Sequence, residues 1–201
     1  MVLKMKKKFN YDTFILPTTS QLEKELYREK YNSRYKKLLK STFYTLIVVF
    51  ALSILVATLF FQVLQTYGNS MEPTLNEGEI VVCVKTKKFK QNDIIAFYYN
   101  NRILIKRIVA TSSQWVNIDE DGNVYINNQL IEENYITKKV QGDVDIDLPY
   151  QVQENSYFVL GDKRESSIDS RNSLIGTVSQ ENIIGKVVLR VWPIKDIKIF
   201  N

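Results

Sequence analysis

Residues 43–64 contain no charged side chain, and nothing else in the chain limits its fold as strongly. As an α-helix rising about 1.5 Å per residue, the run would reach roughly 33 Å, enough to cross a bilayer core of about 30 Å. A cleavable leader predicts a shorter apolar core, about 7–15 residues, closed by small side chains. Here the run is longer, and Phe60-Phe61-Gln62 offers no small-residue exit. Residues 42–64 therefore read as an uncleaved transmembrane helix, with the segments before and after it on opposite sides of a membrane.

Charge supplies the orientation. The chain carries +5 overall, but residues 1–40 hold eleven Lys/Arg against four Asp/Glu, a net +7, while residues 41–201 hold sixteen against eighteen, a net −2. Basic residues flanking a span stay in the cytoplasm. Segment 1–41 is thus expected to be cytoplasmic and 65–201 an extracytoplasmic domain at the plasma membrane. A basic block placed this way is a topology signal and does not call for a nucleic-acid partner. No regular structure is expected over residues 1–17. Ser20-Gln21-Leu22-Glu23 reads as a capping box with Ser20 at the N-cap. It opens an amphipathic helix whose narrow apolar stripe is Leu22, Leu26, Tyr27, Tyr31, Tyr35, Leu38 and Leu39. Such a helix is either solvated or laid on anionic lipid or against a partner.

Beyond the span the pattern turns to β. Residues 79–84, 93–99 and 103–109 read as strands. Asp121-Gly122 marks a hairpin between residues 115–118 and 124–126, and Asn127-Asn128 marks another. Residues 157–160 and 183–191 are later strands, and about 111–152 form a smaller inserted β subdomain. Asp143, Asp145 and Asp147 read as a solvated loop, because a calcium loop would need a glycine and a terminal glutamate at fixed spacing. Cys83 is the lone cysteine and reads as a small core hydrophobe. The fold class is mainly β: an ectodomain with a smaller β subdomain, preceded by one transmembrane helix and a helical N-terminus.

The chain contains no histidine, which excludes a Ser-His-Asp triad, a Cys–His pair and any histidine metal ligand. Ser70 lies in Gly68-Asn69-Ser70-Met71-Glu72-Pro73-Thr74-Leu75, just past the apolar run. A nucleophilic serine needs a base, which here must be a lysine, a carboxylate or a terminal amine. Lys106 sits inside a strand pattern between Leu104 and Ile108, which share its face. Apolar flanks disfavour the ammonium. Lowering a free lysine from about 10.4 to about 8 takes roughly 3 kcal/mol, which a buried site can supply. Residues 161–171 crowd one glycine, two aspartates, three serines and two arginines into a short turn-rich stretch that reads as a hydrogen-bonded scaffold. Taken singly, the three pieces also read as a surface turn, a snorkelling lysine and a solvated loop.

Together they resemble the type I signal peptidases, membrane-bound Ser/Lys endopeptidases of the S26 family. Ser70-Met71-Glu72-Pro73-Thr74-Leu75, Lys106-Arg107-Ile108-Val109 and residues 161–171 come in that family's order after a membrane span. The resemblance implies that Ser70 is the nucleophile and Lys106 the general base, and that Ser167 hydrogen-bonds the lysine amine. It assigns Asp162, Arg164, Asp169 and Arg171 to a buried polar network. Met71, Leu75, Leu104 and Ile105 would line shallow pockets for small residues at −1 and −3. It implies no metal and no cofactor; the partners would be preprotein signal peptides and the lipid bilayer, with oligomeric state left open. Lys163 departs from the pattern, standing where Asn is common, and Ala110-Thr111-Ser112-Ser113-Gln114 replaces the family's glycine-rich turn. Gly68 stands where Gram-negative members carry a serine for the oxyanion hole, so the Ser70 N–H would carry more of that role, as in a Gram-positive type. The expected function is removal of signal peptides from exported preproteins, pilin or other surface-protein precursors among them. The alternative is a non-proteolytic assembly factor holding pilus subunits on the same scaffold. A self-cleaving repressor would lack the span, and a mitochondrial transit peptide would lack the acidic residues of segment 1–40.

Overall fold

The computed structural model describes residues 17–200. The basic segment before Pro17, expected to be irregular, lies outside them. The chain divides between Leu55 and Val56 into two compact units.

The first unit is helical. Helix α1 spans Thr19–Phe60 and buries none of its side chains. Its cap lies two residues before the expected one. Gln21 N and Leu22 N donate to Thr18 O, and Gln21 Oε1 accepts from Thr18 N at 2.9 Å. Gln21 thus reaches back from N3 to the Thr18 N–H, the side-chain-to-N-cap half of a capping box. Phe43, Phe50, Leu55 and Leu59 are all more than half exposed. A water-soluble surface does not leave so long an apolar face bare. By length and composition α1 can cross a membrane. It ends at Phe60, four residues short of the expected limit, because residues 61–65 pair as a strand; the uncharged helical part, 43–60, still spans about 27 Å.

The second unit is β. Strands β1 (Phe61–Gln65), β2 (Ile80–Val84), β3 (Ile94–Tyr99) and β4 (Arg102–Ala110) open it. A smaller sheet follows, made of β5 (Trp115–Ile118), β6 (Val124–Ile126), β7 (Gln129–Leu130) and β8 (Tyr150–Gln151). The chain then returns through β9 (Ser156–Leu160), β10 (Val178–Ser179), β11 (Ile183–Trp192) and β12 (Lys198–Ile199). The large sheet runs β1-β2-β11-β3-β4-β9-β10, with β12 added on β11; the small one runs β7-β6-β5-β8. Every pairing is antiparallel.

Turn chemistry follows residue type. Asn127 and Asn128 adopt φ of +50° and +66°, the left-handed pair that a tight hairpin requires and that asparagine tolerates. Asn100 and Asn101 do the same between β3 and β4. At residues 111–114 the glycine-poor turn is closed by Gln114, whose Oε1 accepts from Thr111 N at 2.7 Å. Val109, Ala110, Phe158 and Leu160 of the large sheet pack with Val116, Ile118, Val124 and Ile126 of the small one. Cys83 is fully buried, and burial pushes its thiol up to about 12, leaving it inert.

Candidate active site

Lys106 and Arg107 are neighbours on β4, so their side chains leave opposite faces of the strand. Both are buried. Ile95 lies directly across from Lys106 in the register, and Ile95 and Ile108 are themselves fully buried. Burial among these side chains is the main cause that brings Lys106 from 10.5 down to about 8. Asp169 opposes the shift, Arg171 adds to it, and Asp162 opposes it more weakly.

Ser70 reaches this amine from the loop between β1 and β2. Thr66 ties the base of the loop: its N–H donates to Glu79 O at 2.9 Å, and its hydroxyl accepts from Glu79 N at 3.0 Å. Met71 and Leu75 anchor the loop in a core with Val81, Ile94 and Val187. Lys163 N donates to Ser70 O at 3.1 Å, and the Lys163 ammonium pairs with Glu72 at 2.8 Å. Held from these sides, Ser70 Oγ lies 2.7 Å from Lys106 Nζ.

The third stretch arrives because β9 pairs with β4. Leu160 lies opposite Arg107, so the chain leaves the sheet beside the lysine. Gly161 is needed there for space: a Cβ would lie 2.1 Å from Ser167 Oγ and 2.6 Å from Ser70 O. Gly161→Ala must therefore displace the Ser167 side chain and the Ser70 backbone. An overpacked core site costs about 1–3 kcal/mol, and cleavage, which depends on placement, is expected to fall at least about tenfold. Thermal melting and a peptide-cleavage assay on the same preparation check both effects.

Asp162, Arg164, Asp169 and Arg171 are all buried; Arg171 joins Asp169 to Arg164 by donating to Arg164 O at 3.0 Å, while Asp162 is held by Arg107. Asp162 accepts a fork from Arg107, from Nε at 2.8 Å and from one terminal nitrogen at 2.6 Å. Arg164 forks onto Glu133, which also accepts from the Tyr135 hydroxyl. Arg171 forks onto Asp169, and the Asp169 carboxylate accepts from Gly161 N at 2.9 Å. Burial pushes Asp169 up, but hydrogen bonding and the charge of Arg171 outweigh it and hold the carboxyl below its usual value. Arg107 and Glu133 were not singled out from sequence. Arg107 carried a readable signal, since a second charge within an apolar strand needs its own partner; Glu133 carried none.

Ser167 is placed differently from its expected role. Its Oγ packs against Gly161 and makes no hydrogen bond to Lys106. It has no partner of normal geometry, though it lies close enough to Asp169 to help keep that carboxylate ionised.

The four expected pocket residues come together. Met71, Leu75, Leu104 and Ile105 line one groove with Ser70 and Lys106, a cavity of about 740 Å³ whose far wall is residues 63–68. A second cavity of about 530 Å³ opens on the same two side chains from the direction of Tyr99, Ile168 and Ile175. Ser70 and Lys106 thus stand where two hollows meet.

The family model described as "Signal peptidase, peptidase S26" matches residues 37–192. The chain is 34% identical over 143 residues to thylakoidal processing peptidase 1 of Arabidopsis thaliana, covering 63% of this chain and 40% of that protein's length. It is 34% identical over 151 residues to signal peptidase IB of Staphylococcus aureus strain COL, covering 65% of this chain and 78% of the relative. A crystal structure of a signal peptidase I from Enterococcus faecalis is 29% identical, with a TM-score of 0.43, over 51% of this chain and 98% of that one. With most of its length inside the matched span, the chain belongs to the signal peptidase family, peptidase S26.

Proposed function

We propose that the protein is a membrane-anchored serine endopeptidase that removes signal peptides from exported preproteins, with Ser70 as nucleophile and Lys106 as general base. Segment 1–41 is cytoplasmic, α1 crosses the plasma membrane, and residues 65–201 work on the far side. Only a short β-strand and turn separate the helix from Ser70, so the nucleophile stays close to the leaflet where a precursor presents its cleavage site. The observation that carries the reading is the 2.7 Å approach of Lys106 Nζ to Ser70 Oγ inside an apolar enclosure.

Neutral Lys106 accepts the Ser70 hydroxyl proton as Oγ attacks the scissile carbonyl. The oxyanion faces the Ser70 N–H, a kind of donor worth about 3 kcal/mol in the transition state. The lysine then returns its proton to the leaving amine of the mature protein. Water, deprotonated by the same amine, releases the signal peptide from the serine ester. Substrate adds as an extended strand between residues 63–68 and β4, its small −1 and −3 side chains turned toward Met71, Leu75, Leu104 and Ile105.

Cleavage of a precursor peptide by the full chain in detergent tests this. Because the base works only when neutral, kcat/KM should rise with pH and level off around an apparent value of about 8. Peptide that binds but is never cut would replace the peptidase with the assembly-factor reading. A rate falling with rising pH would remove Lys106 as base.

A further inference from the structure

The turn between β2 and β3 is strongly basic: Lys85-Thr86-Lys87-Lys88-Phe89-Lys90. Catalysis makes no use of it. Its position follows from strand register. Val84 pairs with Phe61, the first residue of β1, and Lys85 N donates to the carbonyl of Phe60, the last residue of α1, at 2.9 Å. The turn is therefore fastened to the residue where the uncharged helix ends.

Its backbone is held and its charges are free. Phe89 is half-buried and meets the Tyr157 ring edge-on, with centroids 5.6 Å apart. Thr86 Oγ1 accepts from Lys88 N at 3.1 Å, and Asp93 accepts from Lys90 N at 3.0 Å. Lys85, Lys87, Lys88 and Lys90 are exposed, and among the described residues none of them forms an ion pair or side-chain hydrogen bond. Beside the turn lies a cavity of about 700 Å³. Lys85 and Lys87 line it with Asn155, Ser179 and Gln180, and Glu181 is its single carboxylate. Two lysines, two side-chain amides and the hydroxyl residues Thr86 and Ser179 suit a phosphate oxyanion.

We propose that this turn is a docking surface for anionic phospholipid headgroups in the leaflet at which α1 ends. The inference rests on the membrane-anchored reading above. Polybasic segments at a membrane surface are drawn to anionic lipid within about a Debye length, and the Phe60–Lys85 hydrogen bond keeps this one inside that distance. The turn lies beyond the span in sequence, so it does not compete with residues 1–40 in setting topology. It fixes how the catalytic unit stands on the lipid surface.

The test places the full chain in bilayer discs of phosphatidylcholine alone or mixed with phosphatidylglycerol, and measures lysine acetylation by mass spectrometry. Lys85, Lys87, Lys88 and Lys90 should react at least about threefold more slowly in the anionic discs, and high salt should abolish the difference. Lys138 and Lys139, exposed in the segment between β7 and β8, should not change. Replacing the four turn lysines by glutamine should lower the phosphatidylglycerol retained by the purified protein. Equal acetylation in both discs overturns the proposal. Protection by inorganic phosphate in neutral discs, with none from phosphatidylglycerol, also overturns it, because the cavity would then be a free-phosphate site. Precursor cleavage in the neutral discs, read alongside, shows whether the peptidase reading stands independently of the result.

Discussion

Ser70→Ala and Lys106→Ala should each lower precursor cleavage by about 10⁴-fold or more, with the protein still in the membrane fraction. The double variant should be hardly worse than either single one, the result expected of two groups that act as one unit. Without Ser70 there is no ester to form. Without Lys106 the hydroxyl at 2.7 Å has no neutral amine to take its proton, and the chain has no histidine to replace it. Cleavage within about tenfold of wild type in either variant would end the dyad assignment. Lys106→Met separates chemistry from folding, because methionine fills much of the same volume without a charge. The folded amine titrates near 8 against 10.5 when free, so the unfolded chain holds the extra proton between those values. Wild-type stability therefore rises with pH across that window. Below it, the buried amine costs about 3 kcal/mol. Lys106→Met should thus melt above wild type near neutral pH, and the gap should narrow as pH approaches 10.5, while activity stays lost.

The legible parts of this molecule were residues whose chemistry is out of place in their pattern. A lysine between apolar strand residues, a serine just past a membrane-length run, and paired asparagines between strands each announce a specific environment. The structure gives them that environment, with Lys106 buried and Asn127 and Asn128 at positive φ. What was not legible depends on which of several equal candidates wins in three dimensions. Thr18, Thr19 and Ser20 can all cap a helix; the choice falls on Thr18 because Gln21 reaches back to its N–H. The apolar run could stay helical to residue 64, but β2 presents a free edge, and residues 61–65 satisfy it as a strand. The partners in the polar layer are long-range choices. Arg164 finds Glu133, in the segment after β7, 31 residues away. Local sequence around Glu133 contains nothing that distinguishes it from Glu132, which is exposed.

Asp162→Ala should destabilise the second unit by about 3–5 kcal/mol, a loss of roughly 6–20 °C in melting temperature. The size follows from what remains. Arg107 is 8% exposed and sends Nε and one terminal nitrogen to Asp162. Its other acceptors are Asn92 O at 3.1 Å and Thr74 Oγ1 at 3.2 Å, with the Tyr135 ring 4.0 Å from the guanidinium carbon. None of these carries a negative charge, so the variant leaves a buried cation without its counter-ion. Asp162→Asn keeps an acceptor and should fall between the two. Arg107→Met with Asp162→Leu removes both charges and should recover most of the loss, because an apolar pair in a buried site is often as stable as the ion pair it replaces. A loss below about 1 kcal/mol in Asp162→Ala would mean that water reaches Arg107 and the pair is no more than a surface contact. Activity is expected to separate the two effects. Thr74, which Arg107 also holds, lies four residues past Ser70, and Asp162 directly precedes the residue whose N–H holds Ser70 O. The apolar double variant should therefore regain stability yet remain slower than wild type in kcat: it packs the layer again without the hydrogen bonds that join β4, the loop carrying Ser70 and the stretch after β9.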